Sequence, residues 1–558
     1  MTVLQTIVPA FEWLRNYKRN DIRGDLSAGA IVAVMLVPQG MAYAMLAGLP
    51  PVMGLYASTL PLIAYALFGS SRQLAVGPVA MMSLLVFAGV SPLAGPGSEE
   101  YIRLVLILSL MVGTVQLAMG LVRMGFFINF FSHAVISGFT SAAAIVICLS
   151  QLSHLLGIRL SVQHSIVPLL AEAAQRFGET NLIALTMGVV SMVVQLFLRR
   201  KMPRFPAPLL VVAGSTLLVY ALRLDRWGVA IIGNVPEGLP TFSLPAFSVE
   251  SFRLLFPSAL TILFVGFMES ISVAKTIAAR EKYKIDSNQE LRGLGLSNIV
   301  ASFFSAYPVT GGFSRTAVNY EAGARTGLAS VISVALIILV LYFFTPLFYY
   351  LPKCVLASIV MVAVIGLIDV KEAKHLFKVK KADGWTLALT FVITLAVGSE
   401  QGILIGMAFS LLVFIWRSSH PHTAELGYFE QEDVFRNIKR FPEVKTYPEA
   451  LILRVDASLY FANMGFLEDR LRKSLIERPE VKWVIIDLSG VNDIDAVAID
   501  ALEEVIENYH GKQIQFLFAG MKGPVRDLVA KAGWEEKYGE RIKHPSIQHA
   551  LHSIGLRG

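Results

Sequence analysis

Charged residues are scarce in this sequence of 558 residues. They make up 16% of the chain, while hydrophobic residues reach 55%. Soluble domains carry roughly 25% charged residues. Long apolar runs recur from about Asp25 to Trp416, and charge concentrates after them. This distribution excludes an ordinary soluble protein and predicts a long membrane part followed by a soluble tail.

Cysteine is almost absent as well. Cys148 and Cys354 lie far apart in apolar segments, which excludes a disulfide framework and leaves no metal-ligand spacing. No nucleophile with its base and no phosphate-binding loop is apparent, so we expect neither an enzyme nor a cofactor. The net charge of +7 comes from loops between apolar runs rather than from one face, which argues against a nucleic-acid partner.

The distribution of apolar runs divides the chain into four parts. We expect a cytoplasmic N-terminus over 1–24, a membrane domain over 25–419, a linker over 420–449 and an α/β domain over 450–558. No cleavable signal peptide is visible, because charged residues precede the first apolar run. We count about fourteen apolar segments. The basic loops then fall on one side, which predicts that both termini are cytoplasmic.

The stretch from Tyr307 to Asn319 places helix-breaking residues and a charge inside an apolar region. Because Pro308, Gly311 and Gly312 disfavour an earlier helix start, the pattern predicts extended chain followed by a half-helix. The N-terminus of such a half-helix offers free N–H groups and a positive dipole end, which suit an anion. Arg315 would add a full positive charge there. The alternative is an ordinary loop with its arginine at the lipid headgroups.

A matching interruption occurs from Val76 to Ser83, where Gly77 and Pro78 precede an apolar segment. Each interrupted segment is third in its half of the membrane part, which predicts an inverted repeat of about seven plus seven segments. We expect the two half-helix N-termini to face each other near the middle of the membrane. Their combined dipoles would form an anion pocket.

Polar residues elsewhere in the apolar runs are candidates for the same pocket. Pro38 and Gly40 predict a kink in the first span, with Gln39 and Tyr43 on one face. These two side chains either face a cavity or pair with neighbouring helices.

Glu269 lies well inside the eighth apolar run, where an acid is either paired or protonated. It either exchanges a proton during transport or forms a fixed ion pair with Arg315. The isolated histidines His133, His154 and His164 are interpreted as interfacial or packing residues.

From Ala450 the pattern changes to short strands that alternate with amphipathic helices, which predicts an α/β module. Expected strands cover Leu451–Val455, Val484–Leu488 and Ile514–Phe518, and expected helices cover Phe466–Ile476, Ala496–Tyr509 and the residues after Pro524.

Several stretches of the chain resemble motifs of one known protein family: Pro51–Ser58 together with Gly69–Arg72, Phe267–Lys275, Asn288–Leu291 and Thr310–Thr316. Together they resemble bacterial members of the sulfate permease (SulP) family of anion transporters, with Met53 where the family usually has tyrosine. The tail from Asp487 to Asp495 resembles the STAS domain, named for sulfate transporters and anti-sigma-factor antagonists.

The resemblance implies an α-helical polytopic membrane protein with a core that moves against a gate in an elevator-like way, followed by a cytoplasmic STAS domain. The resemblance places the anion site between the third and tenth segments. There the backbone around four residues would hold the anion: Val79, Ala80, Phe313 and Ser314. Gln39 and Tyr43 would line the site, Arg315 would supply positive charge, and Glu269 would couple transport to a cation.

We therefore expect a secondary active transporter of the bacterial inner membrane that carries sulfate by proton symport. Sodium-coupled bicarbonate transport and C4-dicarboxylate transport are the alternatives within this class. An anion channel, or an anion sensor that signals through the STAS domain, are alternatives of another class. The family also implies a homodimer, and a cytoplasmic protein partner at the STAS domain stays open. Ala496 and Val497 stand where antagonist relatives carry a phosphorylated serine, so regulation by that route is not expected.

Overall fold

The computed structural model describes residues 8–130, 132–158, 160, 166–202, 206–245 and 248–556, and His164 lies outside them. The chain divides into two compact units, Met1–Ser410 and Leu411–Gly558. The first unit is built almost entirely of helices. The second contains a five-stranded sheet with helices.

The helices of the first half of the membrane part follow one another closely, and one two-residue strand interrupts them. They are α1 (Ala10–Arg15), α2 (Asp21–Leu46), α3 (Pro51–Tyr56), α4 (Leu60–Phe68), β1 (Val76–Gly77), α5 (Ala80–Val90), α6 (Glu99–Leu121), α7 (His133–Ser150), α8 (Leu152–Leu156), α9 (Ile166–Gln175), α10 (Leu182–Lys201) and α11 (Ala207–Leu222).

The second half repeats this plan, again with one short strand before a short helix. Its elements are α12 (Val249–Glu281), α13 (Ser287–Phe303), β2 (Thr310–Gly311), α14 (Phe313–Glu321), α15 (Leu328–Phe343), α16 (Lys353–Ile365), α17 (Val370–Val379), α18 (Lys381–Ala396) and α19 (Ser399–Ser419).

Many of these helices are suited to a bilayer. Within the described ranges, 8 helical stretches are long and apolar enough to cross a membrane, and three shorter apolar helices, α5, α11 and α15, accompany them. Helix α5 is short because β1 precedes it as extended chain, as the interrupted pattern predicts. The chain is therefore a multi-pass membrane protein, and its helical fold confirms the expected class.

Helix α2 is packed on most of its surface, and it continues through Pro38 from Asp21 to Leu46. It approaches α3 so closely that glycine is required at the crossing. A Cβ atom on Gly54 would lie 1.9 Å from the carbonyl oxygen of Gly40. Such a distance is far below van der Waals contact, so any side chain would separate the two helices.

Two buried carboxylates tie loops to helices in the first unit. Asp25 on α2 accepts a 2.6 Å hydrogen bond from Thr326 Oγ1, just before α15. Glu290 on α13 accepts hydrogen bonds of 2.7 Å from the Tyr65 hydroxyl and from the backbone N–H of Ser70. Each acid thus connects residues more than 200 positions apart, which holds the two halves of the sequence together.

The second unit is a sheet of strand order β4-β3-β5-β6-β7. Strands β5, β6 and β7 are parallel, whereas β3 pairs antiparallel with both β4 and β5. Its elements are β3 (Thr423–Phe429), β4 (Val434–Asn437), β5 (Ala450–Val455), α20 (Met464–Glu477), β6 (Trp483–Asp487), α21 (Ala496–His510), β7 (Gln515–Ala519), α22 (Gly523–Lys531), α23 (Trp534–Tyr538) and α24 (Ile547–Ser553).

The expectation of a linker over 420–449 is wrong, because β3 and β4 lie within it and complete the sheet. The buried edge of β5 needs a partner for its backbone groups, and β3 provides it. The predicted strands and helices after Ala450 agree with the structure to within about two residues.

The start of α21 has no hydroxyl to phosphorylate. Asp495 caps this helix by accepting a hydrogen bond from the N–H of Ala498, and an exposed Val497 follows it. An apolar side chain therefore occupies the exposed position in the first turn of the helix.

Candidate functional site

The two interrupted segments of the first unit meet directly. Strands β1 and β2 pair antiparallel, with Val76 opposite Gly311 and Gly77 opposite Thr310. The N–H of Gly312 adds a 3.2 Å hydrogen bond to the carbonyl of Ala75. This short sheet brings the start of α5 close to the start of α14.

Both helix starts offer free backbone donors. Helix α5 begins after Val79 and α14 begins after Gly312, and neither N-cap residue supplies a side-chain cap. The first intrahelical bonds run from Ser83 to Val79 and from Thr316 to Gly312. The N–H groups of the preceding turn therefore have no intrahelical acceptor, and the positive ends of both helix dipoles lie beside them.

Arg315 on the first turn of α14 reaches back to the other interrupted segment. Its Nη1 donates a 2.6 Å hydrogen bond to the carbonyl oxygen of Pro78, and Nη2 lies 3.4 Å from that of Ala75. Its side chain is 3% exposed, and its buried Nε has no partner within the described residues. A cation is thus held by backbone dipoles at the meeting point of the two segments.

Two glycines make room for this guanidinium. A Cβ on Gly77, whose φ is +150°, would lie 3.3 Å from Arg315 Nη2, and one on Gly312 would lie 3.2 Å from the same atom. The glycines that break the helices in the sequence are therefore also the residues against which Arg315 packs.

All eight residues predicted for the site line one cavity of about 310 Å³. They are Gln39, Tyr43, Val79, Ala80, Glu269, Phe313, Ser314 and Arg315. Gln39 and Tyr43 are largely buried, and their side chains have no hydrogen-bond partner in the described part of the chain. They do not pair with neighbouring helices, so their polar groups are available inside the cavity.

Glu269 and Arg315 line the same cavity without forming the ion pair that the sequence left open. Across the described ranges, neither a salt bridge within 4.0 Å nor a hydrogen bond involves the Glu269 side chain. Glu269 is only partly buried. Its carboxyl group is therefore accessible to water and ions that enter the cavity.

The cavity has two chemically different walls. The polar and backbone groups come from α2, α5, α12 and α14, while the opposite wall consists of α7, α16 and α19. That opposite wall is largely apolar, with residues such as Phe139, Val364 and Ile403. Its Thr140 hydroxyl donates to the carbonyl of Ile136 on its own helix. Apart from His133 at the start of α7, the ionisable side chains and the free helix N-termini of the cavity thus belong to one group of helices.

Hydrogen bonds behind the cavity hold β2 in place. Thr310 Oγ1 donates a 2.6 Å bond to the carbonyl of Gly266, and the N–H of Gly311 donates to Ser270 Oγ at 2.8 Å. The N–H of Val309 donates to Asn298 Oδ1 at 2.7 Å. These partners lie on α12 and α13, so the extended segment is anchored although it forms little regular sheet.

One ionisable residue of the cavity was not expected there from the sequence. His133, interpreted as interfacial or packing, begins α7 and contributes to the lining, with its Nε2 3.6 Å from Glu372 Oε1. Its place depends on the packing of α7 beside α17, for which the sequence carries no signal. Within the residues described, no cluster of histidine, cysteine, aspartate and glutamate could hold a metal ion.

Comparisons with known proteins cover nearly the whole chain. The profile of the sulfate permease family matches residues 22–390, and that of the STAS domain matches residues 441–547. Sulfate transporter 4.1, chloroplastic, of Arabidopsis thaliana is 41% identical over 99% of this chain and 83% of its own length. High affinity sulfate transporter 2 of Stylosanthes hamata is 35% identical over 99% of this chain and 87% of its own length.

Solved structures share the fold. The murine Solute Carrier 26 family member A9 anion transporter, in the inward-facing state, matches with a TM-score of 0.91 at 25% identity, over 98% of this chain and 94% of that one. The transmembrane domain of a cyanobacterium bicarbonate transporter, BicA, matches with a TM-score of 0.61 at 22% identity, over 71% of this chain and 98% of that one. The second likeness concerns the fold alone.

Proposed function

This chain belongs to the sulfate permease family, and we propose that it is a secondary active transporter that carries sulfate across its membrane. Like its named relatives it is a transport protein and not an enzyme. The observation that carries the proposal is the cavity in which two uncapped helix N-termini and the buried Arg315 meet. The choice of sulfate rests on the names of relatives that are 41% and 35% identical.

The cavity provides what a small anion needs. Backbone N–H groups near Val79 and Ala80 on one side, and near Phe313 and Ser314 on the other, would donate hydrogen bonds to sulfate oxygens. Arg315 lies behind them and contributes positive charge in a region of low dielectric, where charge interactions are strong.

Two side chains complete the anion site. Gln39 and Tyr43 carry N–H and O–H donors that no protein group among the described residues occupies. We assign them to line the anion and to replace part of its hydration shell.

Glu269 is proposed as the coupling residue. A sulfate ion carries two negative charges, and a second negative charge in the same cavity would oppose its binding. A proton on Glu269 removes that repulsion, so anion and proton would bind together and travel together. Proton symport is therefore our preferred mechanism, and sodium bound at the same carboxylate is the alternative.

The division of the cavity into two walls supports an elevator-type mechanism. Because the proposed anion ligands lie on α2, α14 and the start of α5, and the proposed coupling acid lies on α12, the complete site could travel with these helices past the opposite wall. The apolar side chains of α7, α16 and α19 offer few hydrogen bonds that would need to break during sliding. Alternating access would follow from movement of the core against this gate.

The location in the cell is also part of the proposal. The two relatives described above are plant proteins, one of them named chloroplastic, and they do not support the bacterial inner membrane expected from the sequence. We propose that both termini are cytoplasmic, because the basic segments, for example around Lys282 and Lys374, fall on one side in the count of apolar segments made from the sequence. Homodimer formation, and a cytoplasmic protein partner at the STAS domain, are likewise proposed from the family.

Uptake of labelled sulfate into proteoliposomes tests this function. Under an inward proton gradient, the protein should accumulate sulfate, and excess bicarbonate or succinate should not displace it. Arg315→Ala should slow sulfate accumulation strongly, while Arg103→Ala, at a surface arginine paired with Glu100, should leave it unchanged. Accumulation of bicarbonate or succinate instead of sulfate would show that the assigned substrate is wrong.

The same preparation distinguishes the other classes of function. Currents at the rate of open pores, without accumulation against a gradient, would indicate an anion channel. Sulfate binding without any flux would indicate a sensor. Either result would overturn the transporter proposal while leaving the fold unchanged.

A further inference from the structure

A second cavity with unpaired basic residues lies in the second unit, directly after helix α19. Its volume is about 770 Å³. Residues from the start of the unit, from the end of β4 and from helix α20 line it, and the charged ones among them are Lys439, Arg470, Lys473, Asp469 and Glu425.

The cations of this cavity converge from two elements. Phe466, Arg470 and Lys473 are spaced four and three residues apart on α20, so they share one face of that helix. Lys439 follows strand β4 and lines the same cavity. Three positive side chains therefore surround one space.

The acids of the cavity are already matched by cations outside its lining. Asp469 forms a 2.6 Å ion pair with Arg472, and Glu425 is ion-paired with Arg478. In the described portion of the chain, Lys439, Arg470 and Lys473 form no ion pair. The cavity thus has an excess of positive charge that no ion pair within the described residues neutralises.

The cavity lies close to the end of a membrane-spanning helix. The ring of His420, which lines the cavity, stacks on Trp416 with 4.8 Å between ring centroids and lies 5.2 Å from Phe466. Trp416 is in the last turn of α19, and its side chain is largely exposed. Tryptophan at the end of a span lies at the level of the lipid headgroups. The lining residue His420 therefore contacts a side chain that is expected at that level.

We propose that this cavity binds the phosphate group of an anionic phospholipid. Lysine and arginine recognise phosphate through charge-assisted hydrogen bonds, and here three of them have no ion-pair partner among the described residues. The aromatic side chains of Phe466 and His420 would pack against the apolar part of the headgroup region. Free phosphate has the same chemistry, and the position beside Trp416 favours the lipid as its source. This site is separate from the transport cavity and does not depend on which anion is carried.

The test uses the full-length protein in a neutral detergent and counts bound lipids by native mass spectrometry. The probes are phosphatidylglycerol and phosphatidylcholine. Each basic residue near an anionic membrane surface contributes about fivefold in affinity. The variant Arg470→Ala/Lys473→Ala should therefore bind phosphatidylglycerol about 25-fold more weakly at this site. Binding of phosphatidylcholine should not change.

Two further variants make the result interpretable. Arg472→Ala lies on the same helix but outside the cavity, so its phosphatidylglycerol binding should equal that of the parent protein. Lys439→Ala leaves α20 intact and should weaken binding about fivefold, which separates loss of the site from misfolding of that helix. Equal lipid binding by the double variant and Arg472→Ala would overturn the proposal.

Inorganic phosphate, measured by calorimetry on the same proteins, distinguishes the two sources. The proposal expects phosphate alone to bind weakly and phosphatidylglycerol to displace it. If phosphate binds with the same dependence on Arg470 and Lys473 while the lipid does not compete, the occupant is a soluble phosphate compound and the lipid assignment is wrong.

Discussion

The guanidinium of Arg315 donates a 2.6 Å hydrogen bond to the carbonyl oxygen of Pro78, so the cation of one interrupted segment is held by the backbone of the other. A buried cation is normally stabilised by a carboxylate, but here carbonyl dipoles stabilise it. As a consequence, no anionic side chain of the described residues forms an ion pair with it, and its positive charge acts on the adjacent cavity. Glu269, which lines that cavity, stays without an ion pair in the described residues.

Substitution of Arg315 should reduce transport moderately with lysine and more strongly with alanine. Arg315→Lys keeps a positive charge but cannot bridge two carbonyl oxygens, so sulfate uptake should fall partly. Arg315→Ala removes the positive charge as well, and loss of one charge-assisted interaction with the anion, about 1.5–3 kcal/mol, corresponds to roughly a 10- to 150-fold loss in initial uptake rate. Initial rates in proteoliposomes measure both. Equal activity of the parent and Arg315→Ala would exclude Arg315 from the anion site.

Gly312→Ala should disturb the same cation without changing any charge. The new Cβ would lie 3.0 Å from Val79 Cγ1 and 3.2 Å from Arg315 Nη2, so the guanidinium must shift. Crowding of this kind costs about 1–3 kcal/mol, and we expect both the melting temperature and sulfate uptake to fall. Gly214→Ala is the matched control, because its Cβ would meet nothing within 4 Å. Similar behaviour of the two variants would contradict the packing described around Arg315.

Glu269→Gln should remove the coupling of uptake to protons. The amide cannot take up or release a proton, so an inward proton gradient should no longer accelerate sulfate entry. Uptake at different external pH values, with and without the gradient, measures the effect. Glu250→Gln on the same helix, at an exposed position, serves as the control. Unchanged proton dependence in Glu269→Gln would assign coupling to another group.

Glu290→Gln tests a buried acid that, unlike Glu269, accepts several hydrogen bonds. Glu290 Oε1 accepts hydrogen bonds from the N–H groups of Ser70 and Ser71 and from the Ser70 hydroxyl, and Oε2 accepts one from Tyr65. Loss of the charge in this cluster should lower stability by about 1.5–3 kcal/mol. Thermal unfolding in detergent measures it. Proton dependence of uptake should stay as in the parent protein, and a change there would refute a purely structural role.

The STAS unit should respond to acid through Asp456. Partial burial alone would raise the pKa of Asp456, but hydrogen bonds from Arg454 and His422, at 2.6 and 2.7 Å, outweigh it and lower the pKa below its ordinary value. A lowered pKa stabilises the fold above the unfolded value of about 3.9, and this contribution is lost as the pH falls through the folded pKa.

Asp456→Asn should therefore lower the melting temperature of the tail at neutral pH. The difference from the parent should shrink below about pH 4, where the parent carboxyl group also becomes protonated. Calorimetry of the full-length protein measures both conditions. Asp500→Asn, exposed on α21, should show no such pH-dependent difference. A difference for Asp456→Asn that persists in acid would assign the effect to something other than ionisation.

The site was predictable from the sequence to the extent that it depends on local backbone rules. Glycine and proline stop a helix wherever they occur, so the extended segments before Ala80 and Phe313 could be expected. The alternation of strands and helices after Ala450 is equally local, and the structure confirms it. By contrast, strands β3 and β4 have no strong local pattern, and their place depends on the unpaired edge of β5.

The sequence alone was enough to predict a membrane protein, the two half-helices and a charged residue within an apolar segment, because each follows from residue type and spacing along the chain. Only the tertiary structure decided what Arg315 binds, since Pro78 lies more than 200 residues away and is reached through the pairing of β1 with β2. The same holds for the position of His133 beside Glu372, and for Glu269, which forms no ion pair within the described ranges. Contacts between distant segments follow from how helices pack, and no local pattern specifies that packing.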